Sequence, residues 1–156
     1  AAFLAEAVAP EGRVHAYDVS DARRLPIAEN ARRLGLDENL VVHDDPDALP
    51  TADRVMVDVP CSNTGVLARR VEVRRRLREG GWAELIEKQS ALLTRALELV
   101  RPGGTVVYST CSIEPEENEE LVRAVAAEHR VVREMRTLPD PPAHDGGFHA
   151  IVQRAT

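Results

Sequence analysis

Arg54-Val55-Met56-Val57-Asp58-Val59, followed at once by Pro60-Cys61-Ser62-Asn63-Thr64-Gly65, is the stretch on which the reading of this chain turns. Its first half has the apolar, branched character of a buried strand. Its second half is a loop, so the strand ends on an acid, Asp58, and delivers Cys61 just beyond it. A second junction of the same kind follows Arg101-Pro102-Gly103-Gly104, where Thr105-Val106-Val107-Tyr108-Ser109 reads as a strand running straight into Thr110-Cys111-Ser112. Between the two, Leu85, Ile86, Gln89, Leu92, Leu93, Ala96, Leu97 and Val100 trace one face of a long amphipathic helix from Trp82 to Val100.

Toward the N-terminus, residues 1–9 read as the end of a helix, broken by Pro10-Glu11-Gly12 before the short strand Val14-His15-Ala16-Tyr17-Asp18. Leu25, Ala28 and Leu34 recur at helical spacing, with Gly35 as the stop. Leu40-Val41-Val42-His43 predicts another strand, and Asp44, Asp45, Pro46 and Asp47 its polar exit. Toward the C-terminus, Leu121, Val122 and Val125 mark a helix, with negative charge from Glu116 to Glu120 at its positive end. Val131–Met135 and Phe148–Val152 predict two final strands joined by the turn-rich Pro139–Gly147. This alternation predicts an α/β fold with a partly parallel sheet rather than a bundle or sandwich.

Composition agrees with that reading. The chain has 156 residues, 44% hydrophobic and 29% charged, which suits one folded domain rather than a disordered tail. No apolar run approaches the ~18 residues of a membrane span. The opening AAFLAEAVAPEG carries Glu6 and no basic leader, which argues against a signal peptide. The only cysteines are Cys61 and Cys111, which gives no basis for a disulfide-rich secreted scaffold and makes a reducing cytoplasm the expected location. A net charge of -6 disfavours nucleic-acid binding over the whole surface but leaves room for a local patch. Arg69, Arg70, Arg74, Arg75, Arg76 and Arg78 form such a run, readable as a solvated face or as an RNA contact.

Ligands of open α/β sheets collect at the carboxyl ends of strands, where Asp18, Asp44, Asp58, Cys61 and Cys111 are expected. Asp18 can accept both hydroxyls of a ribose, or simply cap a turn. Asp44 and Asp45 also fit an ordinary surface loop. A thiolate adds to an electron-poor ring carbon, and a second sulfur can take a proton and help release the adduct. The competing reading makes both cysteines small buried hydrophobes. Zinc is a poor third reading, because no four-ligand spacing is present.

Asp58-Val59-Pro60-Cys61-Ser62-Asn63-Thr64-Gly65 and Ser109-Thr110-Cys111-Ser112-Ile113-Glu114-Pro115-Glu116-Glu117-Asn118-Glu119 resemble two motifs of the RNA 5-methylcytosine methyltransferases of the NOL1/NOP2/Sun family. Tyr17-Asp18-Val19-Ser20, the Gln89–Gly104 segment and His144-Asp145-Gly146-Gly147-Phe148 extend the resemblance over almost the whole chain. It implies a Rossmann-like fold and S-adenosylmethionine-dependent transfer of methyl to C5 of cytosine in RNA, with ribosomal RNA the expected substrate. In that scheme Cys111 resembles the nucleophile that adds to C6, and Cys61 the residue that assists loss of the C5 proton and release. Asp58 would orient the cytosine and stand on the cofactor side, and Pro60 would shape the RNA-facing loop. Asp18 resembles the ribose-binding acid and Asp44 an adenine-side contact. DNA cytosine-5 methyltransferases would instead make Cys61 the attacker; the additional Thr110-Cys111-Ser112 favours the RNA family. Arg70 and Arg74 represent the expected RNA contact.

Asn63 stands where the family often has glycine, which a left-handed turn tolerates. Gly146-Gly147-Phe148 departs from the more usual single glycine and two phenylalanines. The resemblance also makes residues 1–156 a partial catalytic domain that begins after the family's first strand and glycine-rich cofactor loop. That predicts a vacancy between the strands at Val14 and Val55, filled by a preceding segment, rearranged pairing or another chain. A different functional class, a noncatalytic nucleotide- or RNA-binding module, is the second hypothesis. A dehydrogenase is disfavoured by the lack of a dinucleotide-binding glycine fingerprint.

Overall fold

Helix α1 (Ala2–Val8), strand β1 (Val14–Ala16), helix α2 (Asp21–Arg33) and strand β2 (Leu40–Val42) make up the first of two units, Ala1–Pro50. The computed structural model describes residues 1–70, 72–74 and 81–156. β1 and β2 pair in parallel, Val14 opposite Leu40 and Ala16 opposite Val42. Gly35, at φ +68°, ends α2: its N–H donates to the Arg32 carbonyl (3.2 Å) and that of Leu36 to the Ala31 carbonyl (2.9 Å). This left-handed cap brings Leu36 back onto Ala31, and both join Ala5 and Leu40 in a small core. The stop at Gly35 is where the sequence puts it, but the buried face is not. Leu25 and Leu34 are exposed, whereas Ile27 and Ala31, one helical turn apart, pack inward.

The second unit, Thr51–Thr156, contains β3 (Ala52–Asp58), α3 (Trp82–Leu99), β4 (Val100–Thr110), α4 (Glu119–Val125), β5 (Arg130–Thr137) and β6 (Gly147–Gln153). Its strands lie in the order β3-β4-β6-β5. β3 and β4 are parallel and linked through α3, while β6 is antiparallel to both neighbours. Leu93, Ala96, Leu97 and Val100 are buried together with Val106, Tyr108, Phe148, Ala150 and Val152, so the helical stripe meets one face of the sheet. The predicted turn at Pro102-Gly103-Gly104 survives as a register jump inside β4: Ala52 opposes Val100, but Arg54 opposes Thr105.

The expectation of a buried strand at Arg54–Val59 holds on one face: among the described residues β3 borders only β4, and Arg54, Met56 and Asp58 are exposed while Val55 and Val57 pack against the core and Val59 is buried. The strands thus form two hydrogen-bonded sheets, a pair and a four-stranded sheet. Among the described residues no helix is long and apolar enough to cross a membrane.

Candidate active site

Parallel pairing with Asp58 opposite Ser109 places the exits of β3 and β4 side by side. Each strand therefore releases its cysteine at the same end of the sheet, and the Cys61 and Cys111 sulfurs lie 3.2 Å apart. Both are partly buried and free of disulfide. The close pair splits the two thiols. Cys111 is lowered to about 7, chiefly because the Cys61 S–H donates to its thiolate, helped by the positive charge of Arg70 and opposed by burial and by Asp58. Cys61 is raised, first because it keeps the proton it shares with Cys111 and then by burial. One sulfur is thus the more readily ionised near neutrality, while the other holds its proton.

Asn63 has φ +63° and ψ +27°, the left-handed conformation expected of it. Its amide spans the two loops: Nδ2 donates to the Cys61 carbonyl (2.6 Å) and Oδ1 accepts from the Cys111 thiol (3.0 Å). Gly65 donates its N–H to the Cys111 carbonyl (3.0 Å), and its own carbonyl accepts from the N–H of Gly146 (2.8 Å). A Cβ at Gly65 would lie 2.3 Å from the Gly146 oxygen, so only glycine fits between the Cys111 loop and the turn before β6.

A buried polar frame supports the loops from below. Glu117 is fully buried, and its carboxylate accepts from the Ser62 N–H (2.8 Å), the Ser62 hydroxyl (2.5 Å) and Gln89 Nε2 (2.8 Å). Gln89 Nε2 also donates to the Pro60 carbonyl (2.8 Å), so both residues flanking Cys61 are tied down. The Ser62 and Ser112 hydroxyls lie 3.1 Å apart and those of Thr64 and Ser112 3.2 Å apart, which joins the Cys61 loop to the Cys111 loop. Asn118 Nδ2 donates to the Ser112 carbonyl (3.0 Å) and Oδ1 accepts from the Thr110 hydroxyl (2.7 Å). Tyr108 donates to the Glu117 carbonyl (2.7 Å), and burial followed by the Glu117 charge pushes its phenol up.

This frame was not read from the sequence. Glu117 looked like a charge for a helix dipole, yet α4 starts only at Glu119, after a 3-10 turn over Pro115–Glu117 that turns Glu117 inward. The signal lay in Gln89, a polar residue in the middle of an otherwise apolar stripe, because a buried amide requires a partner.

Asp58 is exposed and accepts from the Ser109 hydroxyl (3.2 Å). Pro60, Arg70 and Arg74 are exposed as well. Arg69 forms an ion pair with Asp145 (3.2 Å), so part of the basic run braces the turn before β6. Arg75, Arg76 and Arg78 lie outside the described residues.

In the first unit, Asp18 follows β1 and Asp44 follows β2. Asp18 Oδ1 accepts from the Ser20 N–H (2.8 Å), so the turn-capping role is present. A carboxylate has further lone pairs, and the Asp18 side chain is 25% accessible, which leaves room for hydroxyl donors. Arg24, not singled out in the sequence, links these exits: it donates to the Asp18 carbonyl (2.5 Å), pairs with Asp21, lies 3.5 Å from Asp44 and sits 5.7 Å from the Tyr17 ring centroid.

Residues 1–153 match the sequence profile of a family described as 16S rRNA methyltransferase RsmB/F. The ribosomal RNA small subunit methyltransferase B of Sodalis glossinidius is 37% identical over 96% of this chain, and that of Klebsiella pneumoniae strain 342 is 34% identical over 92%. The chain spans only 38% and 37% of the lengths of these two relatives. Among solved structures, NSun6 from Pyrococcus horikoshii with SFG superposes with a TM-score of 0.81 at 25% identity, over 99% of this chain and 44% of that one. A SAM-dependent O-methyltransferase from Thermotoga maritima, 15% identical with a TM-score of 0.65 over 99% of this chain and 54% of that one, shares the fold. The expected Rossmann-like methyltransferase architecture is therefore present.

Proposed function

The chain belongs to the 16S rRNA methyltransferase RsmB/F family, and from that membership we propose that it carries the catalytic machinery for S-adenosylmethionine-dependent methyl transfer to C5 of a cytosine in ribosomal RNA. The observation that supports this most directly is the 3.2 Å sulfur pair at two adjacent strand exits. Ribosomal RNA as substrate, and with it a cytoplasmic location, rest on the names of the relatives.

The cysteines divide the work by their protonation. Cys111, the sulfur ionised near neutrality, adds to C6 of the base, and the C5=C6 electron pair moves into the ring, which makes C5 nucleophilic. S-adenosylmethionine, when bound, supplies the electrophilic methyl that C5 takes. The C5 proton then leaves, the C5=C6 bond re-forms, and the C6–S bond breaks to return the Cys111 thiolate. Cys61 fits the proton-handling role. Its thiol is held up mainly by its hydrogen bond to the Cys111 sulfur. Once that sulfur is bonded to carbon it carries no charge, so Cys61 can release its own proton to solvent and, as the thiolate, accept the proton from C5. Asp58 and Pro60, exposed beside the pair, are placed to orient the base.

The acids of the first unit fit the cofactor by the chemistry of their donor sets. Asp18 keeps acceptor capacity for ribose hydroxyls and Asp44 presents an exposed carboxylate for an adenine-side contact; in the second unit, Asp58 is an exposed carboxylate that can also accept from a cofactor donor. Arg70 and Arg74 would meet RNA phosphates.

Transfer of labelled methyl from S-adenosylmethionine to cytosine-containing ribosomal RNA tests the reading, with a full-length relative as reference. Activity that vanishes in Cys111→Ala, with an RNA–protein adduct that accumulates in Cys61→Ala, is the expected result. An adduct through Cys61 would reverse the roles. RNA or nucleotide binding without transfer, under conditions where the relative is active, would favour a noncatalytic binding module.

A further inference from the structure

From the amide that bridges the two loops, we infer that Asn63 is a positioning residue that holds Cys111 as an aligned neutral thiol and so sets the pH at which the nucleophile forms. The orientation of this amide is fixed. Nδ2 lies 2.6 Å from the Cys61 carbonyl, a contact that only the NH₂ end can make, so Oδ1 must face the Cys111 sulfur at 3.0 Å. Oδ1 has no proton to give. It stabilises Cys111 only while the thiol keeps its hydrogen, and it presents a lone pair to the thiolate once that proton has gone to solvent. Turning the amide over to donate to the thiolate would set Oδ1 against the Cys61 carbonyl. The held form is therefore the unreactive one, and the Cys61 S–H, which favours the thiolate, works against it.

The other groups acting on Cys111 are Cys61, Asp58, its own backbone N–H and Arg70 from the segment after Thr64–Val66. Substitution at position 63 changes none of these residues, though it removes the Nδ2 bond to the Cys61 carbonyl. Backbone strain is avoidable too, since φ +63° suits glycine.

This inference rests on the reading above only in naming Cys111 the nucleophile, and it can be tested without RNA or cofactor. The purified chain would be alkylated with iodoacetamide between pH 5 and 9, and Cys111 separated from Cys61 by peptide mapping. Asn63→Gly removes the acceptor and should lower the Cys111 midpoint by about half to one pH unit, a roughly three- to tenfold change in its ionisation constant. Asn63→Asp keeps the acceptor, adds charge and should raise the midpoint. Both variants lose the Nδ2 donor to the Cys61 carbonyl, so a loop that merely loosens would move both midpoints the same way. A Cys111 midpoint that Asn63→Gly raises or leaves unchanged overturns the inference; should Asn63→Gly fail to fold, Asn63→Ala, which also removes the acceptor without adding charge, decides it, because the carboxylate of Asn63→Asp raises the midpoint by its charge alone. Opposite shifts without any methyl transfer would keep the inference and discard the functional reading.

Discussion

The loops after β3 and β4 and the exits of β1 and β2 are built to different standards. Around Cys61 and Cys111, Glu117, Gln89, Asn118, Ser112 and Thr64 are all buried and hydrogen-bonded. Around Asp18 and Asp44 the contacts are local: a turn N–H, the ion pair of Arg23 with Asp18 (3.7 Å) and the reach of Arg24. The difference follows the proposed tasks. A covalent step depends on angstrom-level placement of the sulfur, which fixed dipoles supply, whereas holding ribose hydroxyls needs accessible acceptors.

The largest effect expected from this contrast is at Cys111, where alanine should cut methyl transfer about 10³-fold or more in a labelled-methyl assay while leaving the melting temperature near that of the parent. Alkylation of Cys111 in the parent should rise with pH through about 7, because its lowered midpoint makes the thiolate available above that value and withdraws it below. Next comes the frame. Glu117→Ala leaves the Ser62 N–H and one of the two Gln89 Nε2 hydrogens without an acceptor, at a cost of about 3 kcal/mol of unfolding free energy by denaturant titration. Asp18→Ala, by contrast, should weaken S-adenosylmethionine binding about tenfold by calorimetry with little loss of stability. Equal losses of stability at Glu117 and Asp18 would erase the distinction between the two regions.

The contrast also sorts what could be read from the sequence. Strand exits are local features: a branched apolar run ending in Asp58 and Pro60 announces itself, and so does Gly35, whose left-handed cap depends on its own neighbours. The left-handed turn at Asn63 was legible for the same reason. The frame was not, because Glu117 reaches Ser62 across 55 positions and Gln89 across 28. Nothing local separates a buried glutamate from the acidic residues around it. The packing face of α2 was misread for a similar cause: Leu25 and Leu34 satisfy helical spacing, but strand pairing and the Gly35 cap decide that Ala31 turns inward. Within the described part of the basic run, Arg69 is paired with Asp145, its partner by folding rather than by sequence.

The smallest expected effects separate the two arginines proposed to face RNA. Arg70→Ala and Arg74→Ala should each weaken RNA binding about threefold near 0.15 M salt, and each should reduce the slope of log affinity against log salt by about 0.7 if a single-stranded phosphate contact is lost. They should differ in a second measurement. Arg70 contributes to the lowering of Cys111, whereas Arg74 is not among the groups that act on it. Arg70→Ala should therefore move the Cys111 alkylation midpoint upward, by a small amount because the guanidinium is exposed and its field is screened, and Arg74→Ala should leave it unchanged. A midpoint unaffected by both would confine the basic segment to holding RNA. A shift from Arg70 alone would tie it to the ionisation of the nucleophile, so that the segment that draws in the phosphate also bears on how readily the neighbouring sulfur attacks.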